Sequence, residues 1–209
     1  MILPCKLILA SASPRRHAIL RDAGFTFQIV DPGEVEDEVK DAPTPEELAI
    51  GKAAAKARHV AERLQLSANE RAMVVGVDTL VAEGQEGGSV LGKPLDRPDA
   101  IRILTRLSGT RHRVISGFCL MPCPSASAGL QAWSGSETTW VKMKTMSAEE
   151  IRAYVDSGES DGKAGAYAIQ ETGDAYVDRI DGSFLNVVGF PLETFLDVLP
   201  TVLDKWGWR

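Results

Sequence analysis

Two hydrophobic periodicities alternate along the chain, and the changes between them predict its elements. Residues 6–10 (KLILA), apolar after Lys6, read as a short buried strand. Ser13-Pro14 opens a helix, with serine as N-cap and proline in the first turn, and Gly24 stops it. Residues 25–30 (FTFQIV) return as a strand. Thr44-Pro45-Glu46-Glu47 begins a long helix to about Leu66, with Ala49, Ala53, Ala57 and Val60 on one face. Residues 72–82 (AMVVGVDTLVA) give the strongest buried-strand pattern, interrupted by the single carboxylate of Asp78.

A turn at 84–88 leads to a short strand and to Gly92-Lys93-Pro94. A helix from about Pro98 to Leu107 ends at Ser108-Gly109. Two long strands near 111–121 and 134–145 are joined by a Pro/Ser/Ala/Gly loop at 122–129. Ser147, with Glu150 three residues on, makes a capping box. Beyond the glycine-rich turn at 158–166, alternating segments near 174–180 and 184–188 predict a hairpin, and Pro191 starts the last helix. Strands and helices alternate at both ends with antiparallel pairs between them. That order predicts one mixed α/β domain over residues 1–209, with two lobes flanking a cleft.

Composition narrows the class. The chain has 209 residues, 44% hydrophobic and 25% charged, which excludes disordered and fibrous classes. Its 23 basic and 29 acidic side chains leave a net charge of −6, unsuited to binding a nucleic-acid polymer. A local basic pocket can still hold one small anion. Cys5, Cys119 and Cys123 cannot all pair and lack zinc-site spacing, so they read as free thiols of a reducing, cytoplasmic protein. No apolar run approaches the ~18 residues of a membrane span. The first residues read as a strand, not a signal peptide.

The first candidate for chemistry is Ser11-Ala12-Ser13-Pro14-Arg15-Arg16. A strand enters and a helix leaves, so backbone N–H groups and the positive dipole end face one point. Ser11 and Ser13 add hydroxyl donors, and Arg15 and Arg16 add forked donors suited to phosphate oxygens. Asp78 is the second. A carboxylate inside a buried strand costs several kcal/mol unless it is paired, bound to a metal or at the strand's exposed end. Beside a phosphate site it could deprotonate a water or hold a cation. Thr79 adds a hydroxyl on the opposite face.

Lys52 lies on the alanine-rich helix face, and Lys93 and Lys163 stand in glycine-rich turns where backbone can approach a phosphate. In the acidic run at 31–41, Glu36 is the candidate ligand for Mg²⁺ or Mn²⁺, with the rest of the run solvated. His112 reads as a hydrogen-bonded structural histidine in preference to a general base. Gln170 carries both an amide donor and an acceptor, a group able to read the edge of a base, while Tyr167 reads equally as core.

With these residues the chain resembles the Maf-like nucleotide pyrophosphatases along nearly its whole length. The matching stretches are LASASPRR, ELAIGKAAAKA, VVGVDT, LGKP, LSGTRHRVISG, YVDSGE, GKAGAYAIQ and GSFLNVVGFPLE, in the family's order. The resemblance implies an elongated, two-lobed α/β fold of the Maf/ITPase-like kind. It also implies hydrolysis of a nucleoside triphosphate to monophosphate and pyrophosphate, with a divalent cation.

By position, Asp78 resembles the family's proton acceptor, and Ser11, Ser13, Arg15 and Arg16 its phosphate loop. Lys52 and Lys93 resemble its basic clamps, and Glu36, with Asp78, the acidic groups near the metal. Arg16, Thr79 and Gln170 match positions associated with the dTTP/UTP branch. The alternatives are a branch acting on 7-methyl-GTP or another modified nucleotide, and a nucleotide-binding regulator of septum formation. A homodimer is the candidate assembly. Gly162, Glu171 and the 122–129 linker depart from the family pattern.

Overall fold

A computed structural model describes residues 2–40, 42–67, 70–84, 88–123, 129–170 and 172–208. Most of the linker expected at 122–129, the tip of the turn at 84–88, and Glu171 lie outside the described residues. Seven strands form one mixed sheet: β1 (Lys6–Ala10), β2 (Gln28–Val30), β3 (Ala72–Glu83), β4 (Val90–Leu91), β5 (Arg111–Cys123), β6 (Trp133–Met143) and β7 (Val177–Asp181). Their order is β2-β1-β3-β5-β6-β7, with β4 also on β3. β1 runs parallel to both β2 and β3, whereas β3–β4 and β6–β7 are antiparallel. The helices are α1 (Pro14–Asp22), α2 (Pro45–Arg63), α3 (Arg97–Leu107), α4 (Ala148–Asp156), α5 (Phe184–Val188) and α6 (Leu192–Lys205). None is long and apolar enough to cross a membrane.

The chain divides into two compact units, with the divisions falling inside β3, β5 and β6. The first comprises Met1–Asp78, Ser116–Glu137 and Gly189–Arg209. Its core includes Ile8 and Ala10 of β1, Val74 of β3, and Ala53, Ala57 and Val60 of α2. The alanine face of α2 is buried as the pattern predicts. Small residues are needed on both sides of that contact. A Cβ on Gly76 of β3 would overlap the Ala53 carbonyl, and one on Gly117 of β5 would overlap the Ala49 carbonyl. Alanine against glycine therefore lets helix backbone lie directly on strand backbone, close to Asp78.

The second unit comprises Thr79–Ile115 and Thr138–Val188. Ile103, Leu104 and Leu107 of α3 share a core with Ile151 and Val155 of α4 and with Val141 of β6. Asp96 caps α3 by accepting from Asp99 N at 2.8 Å. The predicted capping box of α4 is complete: Ser147 accepts from Glu150 N at 3.2 Å, and Glu150 accepts from Ser147 N at 2.7 Å.

Two elements differ from expectation. The strand expected at 25–30 is ordered as strand only over Gln28–Val30. Phe25 instead accompanies the end of α1, donating its N–H to Leu20 O at 3.1 Å and packing edge-on against Phe195. Residues 184–188 are the helix α5 and not the second strand of a hairpin. Gly182, at φ +128°, turns the chain, and Ser183 Oγ accepts from Asn186 N at 3.0 Å. A five-residue apolar run has no decisive period, so this local cap and the burial of Asn186 and Val188 select the helix.

Candidate active site

The first unit gathers charge around the end of β1 and the middle of β3. Asp78 lies within β3 and is only 8% exposed, and it is ion-paired there. Its partner is Lys56, 5% exposed, whose Nζ donates to Asp78 Oδ1 at 2.6 Å. The same ammonium stands 3.0 Å from Glu36 Oε1. Two carboxylates therefore share one buried cation. Glu36 reaches it from a 3₁₀ turn, Val35–Glu38, that packs on α2. Asp31, Glu34, Asp37 and Glu38 stay exposed, as expected of a mainly solvated acidic run.

Lys56 was not among the sequence candidates. Lys52, one helical turn earlier, is half-buried and makes no ion pair among the described residues. A signal for Lys56 existed. It lies seven residues after Ala49 and four before Val60, inside the buried stripe, where a lysine needs a counter-charge. Asp78 is the buried strand residue that needs the opposite charge.

The loop from β1 into α1 is organised by Ser11, not by Ser13. Ser13 occupies the N-cap position but its hydroxyl makes no capping bond. Ser11 is buried, and its Oγ accepts from Ser13 N and from Arg16 Nη1, both at 3.2 Å. His17 Nε2 donates to Ser11 O at 2.8 Å. The opening N–H groups of α1 thus lack the side-chain cap that the sequence predicted, as suits a helix start that meets an anion. Arg16 is half-buried and fixed from two sides, because its Nε also donates to Gly189 O at 2.8 Å. Burial draws the Arg16 pKa down; nearby Asp78 opposes this, Arg15 adds to it, and Glu36 opposes it. The arginine is thus electrostatically joined to the two carboxylates. Ser11, Arg16, Glu36, Asp78 and Lys56 are linked by these hydrogen bonds, ion pairs and electrostatic interactions, with Arg15 near Arg16 and Ser13 N on Ser11.

Thr79, Lys93, Lys163 and Gln170 belong to the second unit. Thr79 is half-buried on β3, Lys93 and Gln170 are exposed, and Lys163 donates to Glu159 O. Gly165, at φ +73°, donates its N–H to Gly92 O at 3.1 Å, so the turn before Lys93 is tied to the segment that ends in Gln170. His112 is fully buried and its Nε2 lies 2.8 Å from Tyr167 Oη, which bears out the structural reading of that histidine. Burial pushes its pKa down to about 4, so the ring is neutral at pH 7.

A buried and a half-buried carboxylate on one ammonium, a fixed arginine and a helix start without a side-chain cap make a candidate site for a small anionic ligand with proton-transfer chemistry. The chain belongs to the Maf-like protein family, whose model matches residues 6–202. It is 42% identical over 197 residues to the dTTP/UTP pyrophosphatase of Acetivibrio thermocellus, covering 93% of this chain and 94% of that one. It is 41% identical to the dTTP/UTP pyrophosphatase of Pelotomaculum thermopropionicum, covering 98% of each. It is also 42% identical over 195 residues to a human protein described as a probable bifunctional dTTP/UTP pyrophosphatase/methyltransferase. That match takes in 91% of this chain but 31% of the human one, so this chain spans about a third of that relative.

Proposed function

We propose that this chain is a nucleoside triphosphate pyrophosphatase that hydrolyses dTTP and UTP to the monophosphate and pyrophosphate. The observation that carries the reading is the buried Lys56 ammonium shared by Asp78 and Glu36, beside the arginine-bearing start of α1. Support for the substrates comes from the relatives named above, similar to this chain over nearly its whole length.

In this reading, water attacks the α-phosphorus while the bond to the bridging oxygen of the β-phosphate breaks, releasing pyrophosphate. Asp78 takes the water proton. Lys56 bonds Oδ1, which orients the carboxylate, and Oδ2 takes no hydrogen bond from the described residues. Arg16 is already positioned by Ser11 and Gly189, so stabilising charge on the phosphates needs little reorganisation. Arg15 and the start of α1, which has no side-chain cap, add further donors. Lys52 of the first unit, and Lys93 and Lys163 of the second, are candidate phosphate partners, and Thr79 and Gln170 are candidate readers of the base.

The donor set also fits a divalent cation. Among the described residues no group of three or more metal-ligating side chains exists, but Glu36 and Asp78 supply two hard oxygen donors. One or two carboxylates completed by substrate phosphates is how Mg²⁺ is usually held, and Mn²⁺ accepts the same ligands. When bound there, the cation would neutralise phosphate charge. Three free thiols accord with a reducing, cytoplasmic setting.

The test is pyrophosphate release from dTTP, UTP, ITP and 7-methyl-GTP, with Mg²⁺, with Mn²⁺ and with chelator. Turnover of dTTP and UTP ahead of the others, lost with chelator, is the expected result. Orthophosphate in place of pyrophosphate would overturn the cleavage site, and preference for a purine nucleotide would overturn the substrate.

A further inference from the structure

The segment ending in Gln170 is held to the second unit by three hydrogen bonds of different origin. Gly165 N donates to Gly92 O at 3.1 Å, Ala168 N donates to Tyr154 Oη at 3.1 Å, and Tyr167 Oη meets His112 Nε2 at 2.8 Å. The backbone between these points is under constraint. Gly165 and Ala166 both take positive φ, +73° and +59°, and Ala166 is the only non-glycine residue to do so among those described. An L-residue held in that region needs surrounding structure that dictates it. A Cβ on Gly165 would meet the Val81 side chain, so the turn also lies tight against β3.

Of the three tethers, the His112–Tyr167 contact alone joins two side chains. His112 belongs to β5 and is fully buried, with Tyr167 edge-on to it at 5.5 Å between ring centroids. Its other nitrogen, Nδ1, is buried without a hydrogen-bond partner. A polar ring that leaves one nitrogen unsatisfied is a costly way to fill a core. It does give β5 a directional hold on the residue three positions before Gln170, which a phenylalanine could not.

We infer that His112 and Tyr167 are positioning residues for substrate recognition: their contact fixes the 163–170 segment so that Gln170 is presented to the base in one arrangement. This deepens the dTTP/UTP reading and rests on it. Neither side chain touches the reacting atoms. Losing the contact loosens the segment, so recognition suffers and the chemical step does not.

The test compares Tyr167→Phe, His112→Phe and His112→Gln with wild type, by steady-state kinetics on dTTP and UTP and by hydrogen exchange at the Ala168 amide. Tyr167→Phe removes one oxygen and keeps the ring, so the core remains filled. His112→Gln keeps a hydrogen-bonding group near the Nε2 position. Tyr167→Phe and His112→Phe are expected to raise KM on the order of tenfold with kcat within about threefold, and to speed Ala168 exchange. His112→Gln is expected to recover most of the KM and of the protection. A Tyr167→Phe enzyme with wild-type KM overturns the inference. So does a fall in kcat at constant KM, or a His112→Gln variant as impaired as His112→Phe. If wild type itself releases no pyrophosphate from either nucleotide, the parent reading fails on that measurement alone and the inference falls with it. Active wild type with an unaffected Tyr167→Phe variant sinks only the inference.

Discussion

The two units handle polar groups in opposite ways. In the first, the charged groups are buried or half-buried and held by partners: Lys56 by Asp78 and Glu36, and Arg16 by Ser11 and Gly189. In the second, Lys93 and Gln170 are exposed, and order comes from backbone tethers and a neutral His112–Tyr167 contact behind them. Under the proposed function, the difference suits two kinds of task. Groups that must meet developing charge work best when fixed before the ligand arrives, inside a low-dielectric surround. Groups that distinguish one base from another need correct placement more than a strong field, and a rigid segment behind an exposed amide supplies that.

The comparison is broken most severely by removing the shared cation. Lys56→Met leaves two carboxylates together without their ammonium, and breaking such a buried pair costs about 3–5 kcal/mol. Denaturant unfolding at pH 7 reads this directly. A loss below about 1 kcal/mol would mean that solvent already screens the cluster. Asp78→Asn keeps the shape and loses the proton acceptor, so kcat should fall at least ~10²-fold with the circular dichroism spectrum unchanged. Turnover within a few-fold of wild type removes Asp78 from the reaction. Arg16→Ala should cost about 2 kcal/mol in kcat/KM, because a charge-assisted contact is lost near developing charge. The exposed Arg152 provides the control, and equal small effects from both would return Arg16 to the ordinary surface.

The second unit carries its own pH signature. The folded-state pKa of His112 is pushed down to about 4 from 6.5, so the unfolded chain binds its proton more readily. The stability from keeping this ring neutral is complete above pH 6.5 and is lost as pH falls towards 4. Between pH 7 and pH 5 the loss should be about 2 kcal/mol, and His112→Gln should abolish that share. Urea unfolding of both proteins at the two pH values measures it as a difference, which cancels the other titrating groups. Equal pH dependence in the two proteins would show that His112 protonates freely when folded.

Gln170→Glu gives the smallest expected change. A carboxylate cannot donate to a pyrimidine carbonyl as the amide can, so dTTP and UTP should lose about 1 kcal/mol in kcat/KM relative to a guanine nucleotide. The exposure of Gln170 keeps the effect at the low end for a mispaired polar group. A uniform loss across all nucleotides would mean that Gln170 does not read the base.

Local chemistry determined much of this from sequence. The strand–serine–proline–arginine order around residue 11, the buried strand broken by Asp78, the Thr44 and Ser147 caps and the alanine face of α2 all depend on neighbours within a few residues. Periodicity and capping express such short-range rules, and the structure follows them. Tertiary structure alone chose among groups that are equivalent locally. Lys52 and Lys56 differ by one helical turn in the same stripe, and which of them meets Asp78 depends on how far α2 settles onto Gly76 and Gly117. Ser13 looked able to cap α1, but Ser11 organises the loop by accepting from Ser13 N and from Arg16, which Gly189 holds from 173 residues away. The 184–188 run could be strand or helix until Gly182 and Ser183 turned it. The lysine and serine choices rest on partners distant in sequence, whereas the 184–188 helix rests on the adjacent Gly182–Ser183 turn, a local cap that the period of a five-residue run does not reveal.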